Sequence, residues 1–518
     1  LKKEMEVSIK AGEIVGKIYD ALLPLYEAAM NDGNKKELLH SLNMLCVRLV
    51  FCLYAEDAGI FGRKDMFGDF LKRLEPRDMR SRLIELFKIL DTKPENRDPF
   101  LDDDLAQFPY VNGGLFSHCD GNIPQFTDKL KDLLVNKASY DFDWSDISPT
   151  IFGAVFESTL NPETRRSGGM HYTSIENIHK VIDPLFMDSL TAEFNEIASI
   201  RNIKTRNARL IEFQKKLGSL KFLDPACGSG NFLTETYLSL RRLENKCLGL
   251  RFSETVLDVF DDTVFVNIHQ FYGIEINDFA TVVAKTALWI AESQMMAETS
   301  KILSKNLEFL PLKSYANVVE GNALAMDWET LREHESGGSL PPGAHAVAPA
   351  PPSAGDTPAT PPNAAPYDYI MGNPPFVGGM MMSQEQKENM SIVFGKMKGF
   401  GELDFVCAWY KKASDLIRGT NIKCAFVSTN SICQGQSVAL LWKPLFEDGL
   451  QIDFAYRTFR WDSESTLKAH VHCVIVGFSN QNHCHPGAEQ NHCHPGAEGD
   501  RVQNTAVDSI GSTSLQND

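Results

Sequence analysis

Asn373-Pro374-Pro375-Phe376 follows the apolar run Tyr369-Ile370-Met371-Gly372 and places a carboxamide, two prolines and an aromatic ring in consecutive positions. The prolines fix their own φ and bring no N–H donors, so the turn is stiff and its carbonyls stay free of local donors. The carboxamide oxygen of Asn373 and the carbonyl oxygen of Pro374 can together accept both hydrogens of an exocyclic amino group. Such a nitrogen is a poor nucleophile because its lone pair is delocalised into the ring, and holding both N–H bonds moves it toward a tetrahedral amine. Phe376 offers a face for a planar base, a contact worth roughly 1–3 kcal/mol in single-strand binders. The chemistry these four residues permit is transfer of an electrophilic group to an amino nitrogen.

A second constellation comes earlier. Leu223-Asp224-Pro225-Ala226-Cys227-Gly228-Ser229-Gly230-Asn231-Phe232 joins a short apolar strand, an acid, two spaced glycines and a helix start. Glycines let the backbone approach a cofactor closely, and a helix N-terminus presents N–H groups to polar ligand atoms. A dinucleotide site would need a third glycine, where Leu233 stands, and an acid about 20 residues on. The next strand-end acid, in Phe271-Tyr272-Gly273-Ile274-Glu275, lies much further along, so NAD is disfavoured. An acid directly before Pro-Ala-x-Gly-x-Gly instead resembles the first motif of the S-adenosylmethionine-dependent methyltransferases, in which it lies near the amino-acid part of the cofactor.

The remaining candidate residues follow this order. Glu275 is a bidentate acceptor suited to two ribose hydroxyls, with Ile276 beside it. Asn322 and Ala323, after the apolar Val318-Val319, are placed at the adenine edge, against the plainer reading of an Asn in a turn. In Gly168-Gly169-Met170-His171-Tyr172-Thr173-Ser174, Thr173 or Ser174 suits the cap of a helix with Glu176 in its first turn. The same Tyr-Thr-Ser run resembles the element of amino-methyltransferases that closes over the methionine moiety. The expected cofactor residues are Tyr172, Thr173, Asp224, Ala226, Gly228, Gly230, Asn231, Phe232, Glu275, Ile276, Asn322 and Ala323; the expected catalytic residues are Asn373, Pro374, Pro375 and Phe376. Asp404 opens a helix as a cap, whereas its position in the methyltransferases that the chain resembles implies a place close to the cofactor.

These sites need elements to hold them. The chain has 518 residues, 43% hydrophobic and 23% charged, enough for two or three domains with real cores. Residues 1–150 carry apolar positions at helical spacing, such as Leu42, Leu45, Leu49 and Leu53, and are expected to form an all-helical spacer domain. Residues 151–480 are expected to hold the methyltransferase domain, interrupted at 334–366 by a disordered Pro/Ala-rich insertion. Residues 481–518 form a polar tail with a nine-residue unit, Gln-Asn-His-Cys-His-Pro-Gly-Ala-Glu, written twice. Its His-Cys-His clusters have ligand chemistry, but a perfect tandem copy in a polar tail reads as a repeat insertion, and no metal is expected. Asp102-Asp103-Asp104 is expected to be solvated or capping. The 11 cysteines show no C-x-x-C pair and no regular spacing outside that tail, which fits reduced thiols in a cytoplasmic protein. The apolar run 42–55 is too short to cross a bilayer and is interrupted by Arg48, so a buried helix is expected there, with Glu56 and Asp57 at its solvated end. No leader pattern precedes it. The net charge of −17 requires any nucleic acid to be met by a local basic groove or another domain.

Taken in order, Gly-Gly-Met-His-Tyr-Thr-Ser, Asp-Pro-Ala-Cys-Gly-Ser-Gly-Asn-Phe-Leu, Gly-Ile-Glu-Ile-Asn and Asn-Pro-Pro-Phe resemble the gamma-class DNA adenine-N6 methyltransferases. Leu238-Ser239-Leu240-Arg241-Arg242-Leu243-Glu244, the run Phe51 to Phe61 and Lys285-Thr286-Ala287-Leu288-Trp289-Ile290 resemble, more narrowly, the MmeI-like single-chain restriction-modification enzymes. The resemblance covers about residues 1–480. It implies an α/β fold, a Rossmann-like class I methyltransferase with a mostly parallel seven-stranded sheet, behind the helical domain. It also implies S-adenosylmethionine as cofactor and double-stranded DNA with a flipped adenine as partner, within restriction-modification or phage defence and without a membrane. In that family a nuclease domain precedes the spacer and a target-recognition domain follows the methyltransferase. Neither is found here, and the start at Leu1 suggests part of a larger polypeptide. Motifs of the Asn-Pro-Pro-Phe type also serve enzymes that methylate cytosine N4, guanine N2 in RNA or a protein glutamine amide, so an RNA or protein methyltransferase is one alternative. A truncated cofactor-binding product without activity is the other.

Overall fold

Strand β1 (Phe222–Asp224) is three residues long because Pro225 follows it and cannot donate to a ladder. The computed structural model describes residues 2–111, 114–117, 122–160, 173–252, 264–303, 316–331, 366–461 and 471–480. Within them β1 is joined by β2 (Phe271–Glu275), β3 (Asn317–Glu320), β4 (Tyr369–Gly372), β5 (Lys423–Thr429), β6 (Leu450–Trp461) and β7 (Val471–Asn480). They form one sheet in the order β3-β2-β1-β4-β5-β7-β6. β1 to β5 are parallel, whereas β7 runs antiparallel to both β5 and β6. This is the mostly parallel, seven-stranded α/β architecture expected, closed by an antiparallel hairpin.

Alternation along the strands supplies both faces of the core. Phe222, Phe271, Met371, Ala425 and Ile475 enter one apolar cluster, while Leu223, Tyr272, Ile370, Cys424 and Val476 enter the other. The first is covered by the helices Asn231–Phe252 and Asp278–Leu303, the second by Gln384–Phe394 and Cys407–Ile417. β1 pairs with β2 on one side and β4 on the other, so chain direction across the sheet reverses between β1 and β4. In an open α/β sheet that switch point opens a crevice at the C-terminal strand ends. Asp224 and Gly372, the residues at which the two sequence signatures meet the sheet, stand at those ends.

The N-terminal helices, among them Lys2–Glu27, Lys35–Asp57 and Pro76–Leu90, pack into the first cluster. The Tyr54 hydroxyl donates to the Ile290 carbonyl at 3.3 Å and ties this layer to the sheet layer. Lys35–Asp57 is long and apolar enough to cross a membrane, yet 72% of its most apolar window is buried within the protein. Arg48 on it donates to the carbonyls of Leu115 (2.8 Å) and Ser117 (2.9 Å), as a core helix requires. One expectation is corrected here. Glu56 is fully buried rather than solvated, because it accepts from the N–H groups of Phe67 (2.8 Å) and Gly68 (2.9 Å) in the first turn of the helix Met66–Arg73. Asp102 and Asp104 pair with Arg82 at 2.9 and 3.0 Å. The 334–366 insertion, apart from Pro366, and the 481–518 tail lie outside the described residues.

Candidate functional site

The turn after β1 is built on two left-handed glycines, Gly228 (φ +53°) and Gly230 (φ +81°). A side chain on Gly230 would come within 2.8 Å of the Ala284 Cβ, whereas one on Gly228 would meet no atom within 4 Å. Gly230 therefore seats the turn on the neighbouring helix, and Gly228 leaves open space above it. The turn is cross-braced to β2: Cys227 donates its N–H to the Ile274 carbonyl (3.1 Å) and Gly228 donates to Glu275 Oε2 (2.9 Å). Glu275 Oε1 accepts from Asn277 N–H at 3.0 Å, and Ile276 beside it is 62% exposed.

Asp224 is 1% exposed, and its Oδ1 accepts from Ala226 N–H at 3.0 Å. Burial pushes its carboxyl up to about 8, and the charge of Glu275 adds to the rise. Glu275 itself is raised above the usual carboxylate range, again mainly by burial. Two acids are thus held side by side in a setting that disfavours their charge until a cation or hydroxyl donor arrives.

The other cofactor candidates fall less uniformly. Asn231 opens the helix Asn231–Phe252 at the turn, and Ala226 is half-buried in it. The Phe232 ring packs into the core beneath the turn at 3% exposure. Asn322 accepts from Leu324 N–H (3.0 Å) and donates to Asn389 Oδ1 (2.8 Å), so its amide joins its own loop to the helix Gln384–Phe394. Ala323 is buried in the second cluster, and its carbonyl accepts from the Trp328 indole at 2.8 Å. Tyr172 lies outside the described residues. Of the two capping candidates, Ser174 caps the helix Ile175–Ile182, accepting from Asn177 N–H at 3.3 Å. That leaves the Thr173 hydroxyl free to reach across the crevice.

It does so to the second signature. Asn373 Nδ2 donates to Thr173 Oγ1 at 3.3 Å, which fixes the carboxamide; its Oδ1 is buried and has no hydrogen-bond partner among the described residues. Pro374 is buried, Pro375 exposed and Phe376 half-buried, its ring packed where the two apolar clusters meet. The signatures touch through Gly372: a Cβ there would lie 3.0 Å from Asp224 Cγ, so only glycine lets β4 pass this close to the acid.

Two positioning residues escaped the sequence reading in their full role. Asp404, 7% exposed, accepts from the N–H of Val377 (2.9 Å) and from the hydroxyls of Thr429 (3.1 Å) and Ser431 (3.2 Å). Phe405 N–H donates to the Val377 carbonyl at 2.9 Å, so the loop after Phe376 is held on both sides. Trp409, one turn on, donates its indole N–H to the Pro225 carbonyl at 3.1 Å. One short segment therefore clamps both signatures. Only the acid at position 404 was a signal in the sequence; its partners lie too far along the chain to be read from spacing.

A separate cavity of about 1310 Å³ lies between the helical layer and the helices Ile175–Ile182 and Asn231–Phe252. His179 on its wall approaches Glu235 (3.3 Å) and Asp183 (2.9 Å), which raise the imidazole to about 9. None of Asp224, Glu275 and Asn373 lines it. Among the described residues no group of three or more His, Cys, Asp or Glu side chains could hold a metal ion, and the His-Cys-His repeat lies outside them.

Residues 200–487 match the family model described as MmeI, DNA-methyltransferase domain, and residues 40–116 match MmeI, helicase spacer domain. The chain is 36% identical over 485 residues to DNA methyltransferase A of Bacillus subtilis (strain 168), covering 92% of this chain and 49% of that protein. It is 38% identical to the Type IIL restriction-modification enzyme MmeI, solved in complex with DNA, with a TM-score of 0.74 over 91% of this chain and 57% of that one. The chain spans about half the length of the curated relative it matches. The chain belongs to the MmeI DNA-methyltransferase family.

Proposed function

We propose that the protein transfers a methyl group from S-adenosylmethionine to adenine N6 in duplex DNA, within restriction-modification, with a catalytic domain at 151–480 behind a helical domain at 1–150. The observation that carries this reading is the buried Oδ1 of Asn373, without a partner among the described residues, on an amide held at its other end by the Thr173 hydroxyl. A buried acceptor without a donor costs about 1–3 kcal/mol, and an exocyclic amino group removes that cost. The Pro374 carbonyl takes the second N–H, and Phe376 stacks on the base, which must leave the helix to reach this depth.

The residues present fit the cofactor. Asp224, buried and raised to about 8, suits an ammonium group; Glu275 suits the ribose hydroxyls; the open space above Gly228 admits the ligand, and exposed Ile276 covers an adenine face. When bound, S-adenosylmethionine supplies an electrophilic methyl that needs only in-line placement. The protein's part is then to hold the amine with its lone pair toward that methyl and to exclude water. Incubating the protein with labelled S-adenosylmethionine and separate DNA, RNA and protein pools tests this reading. Label in DNA alone is expected; label in RNA or protein favours the other amino acceptors, and label nowhere leaves a cofactor-binding product without activity.

A further inference from the structure

The loop that leaves the catalytic turn ends in an unusual surface. Met380 is 98% exposed and Met381 81% exposed, side by side, whereas Met382 is buried at 5%. The two sit in the tight turn Gly379–Met381, closed by a hydrogen bond from Met381 N–H to the Gly378 carbonyl at 2.8 Å. The turn is not a loose flap. A Cβ on Gly379 would lie 2.5 Å from the Gly401 carbonyl oxygen and 3.2 Å from that of Leu403, so the turn lies against residues 401–403, and Val377 just before it is clamped by Asp404 and Phe405. Lys396 and Lys398, a few residues before that contact, are exposed and in no ion pair among the described residues, with the exposed acids Glu402 after them and Glu385 on the helix that follows the turn. Two rigidly presented methionines are therefore fixed a few residues beyond Phe376, with two exposed lysines shortly before the segment they rest on, in a chain whose net charge is −17.

Adjacent exposed thioether side chains suit a partner that is apolar at the contact and anionic around it. A base step in duplex DNA is both: its faces are apolar once unstacked, and its phosphates flank it. Methionine is unbranched and adapts to such a gap. We propose that Met380 and Met381 form an apolar wedge that enters the duplex beside the target adenine and fills the space the extruded base leaves, with Lys396 and Lys398 against the flanking phosphates. The proposal rests on the DNA-adenine reading above and adds to it the residues that open the duplex.

The test uses the full chain. Mapping N6-methyladenine in DNA from cells that express it gives the modified site, and two synthetic duplexes then carry that site, one with adenine facing thymine and one with adenine facing an abasic position. The double variant Met380→Ala/Met381→Ala, on side chains exposed enough not to disturb folding, is expected to transfer methyl to the paired duplex about tenfold more slowly or worse. On the abasic duplex, where the base is already loosened, it should stay within about twofold of the native protein, and S-adenosylmethionine affinity should be unchanged. Equal rates on the paired duplex, or equal loss on both duplexes, overturn the wedge while leaving the DNA-adenine reading intact. A native chain that marks no DNA overturns both. Lys396→Ala/Lys398→Ala should flatten the dependence of log K on log salt by about two phosphate contacts, and an unchanged slope removes the lysines from the proposal.

Discussion

Replacing Gly372 with alanine puts a methyl group where the Asp224 carboxyl now lies. The new Cβ would stand 3.0 Å from Asp224 Cγ, about 0.5 Å inside the ~3.5 Å contact distance of two carbons, and closer still to Oδ1. Asp224 is 1% exposed and has no solvent to retreat into. Either β1 and β4 part, or the carboxyl turns and loses the 3.0 Å bond from Ala226 N–H that shapes the glycine turn. Overpacking of this kind costs about 1–3 kcal/mol of stability. Displacing the acid from a cofactor ammonium should cost a further 1.5–3 kcal/mol, roughly a 10- to 150-fold loss of S-adenosylmethionine affinity. Titration calorimetry reads the second effect and thermal denaturation the first. Gly378→Ala is the control: Gly378 has φ −58° and no atom within 4 Å of a Cβ, so both quantities should stay at native values. A Gly372→Ala protein that binds S-adenosylmethionine within about twofold of native would refute the reasoning, because it would separate Asp224 from cofactor binding.

Further consequences follow from the same geometry. With Asp224 raised to about 8, the carboxyl is neutral in the free protein below that pH and must ionise to hold an ammonium; affinity for the cofactor should therefore rise as pH goes from 6 toward 7.5, by up to about tenfold per unit, with release of a proton on binding. Calorimetry at pH 6.5 in buffers of different ionisation heat measures that proton, and no release or a falling affinity contradicts the assignment. Asp404→Ala removes the acceptor shared by Val377 N–H and the Thr429 and Ser431 hydroxyls, so single-turnover methyl transfer should slow about tenfold or more while S-adenosylmethionine affinity changes less than about twofold. A parallel loss of both would place Asp404 on the cofactor instead of on the catalytic loop.

The sequence made the α/β sheet and both signatures legible because each signature is a contiguous strand-turn unit whose chemistry is written in neighbouring residues. What lay hidden depends on contacts made through space. Gly372 reads as one more strand residue until β4 is seen against Asp224. Thr173 and Ser174 are equivalent caps until the fold assigns Ser174 to the helix and Thr173 to Asn373, far along the chain. Glu56 has the look of a solvated helix end, yet a following helix turns its first N–H groups onto it. Asn322 reads as an adenine-edge residue from its position after a strand, and the bonds of its amide to Leu324 and Asn389, which join its loop to a helix 67 residues on, could be seen only in the fold. Asp404 was readable as a cap, but its role as a clamp requires Val377, Thr429 and Ser431 to converge, which no local pattern encodes.

The Asn373 acceptor is the centre of the account, and nucleoside analysis of DNA treated with native protein or with Asn373→Ala tests it most directly. The native protein should convert adenine to N6-methyladenine, and the variant should lose at least about a hundredfold of that rate while binding S-adenosylmethionine nearly as tightly as native. N4-methylcytosine in place of N6-methyladenine, or an Asn373→Ala protein that still methylates DNA at a comparable rate, would contradict it.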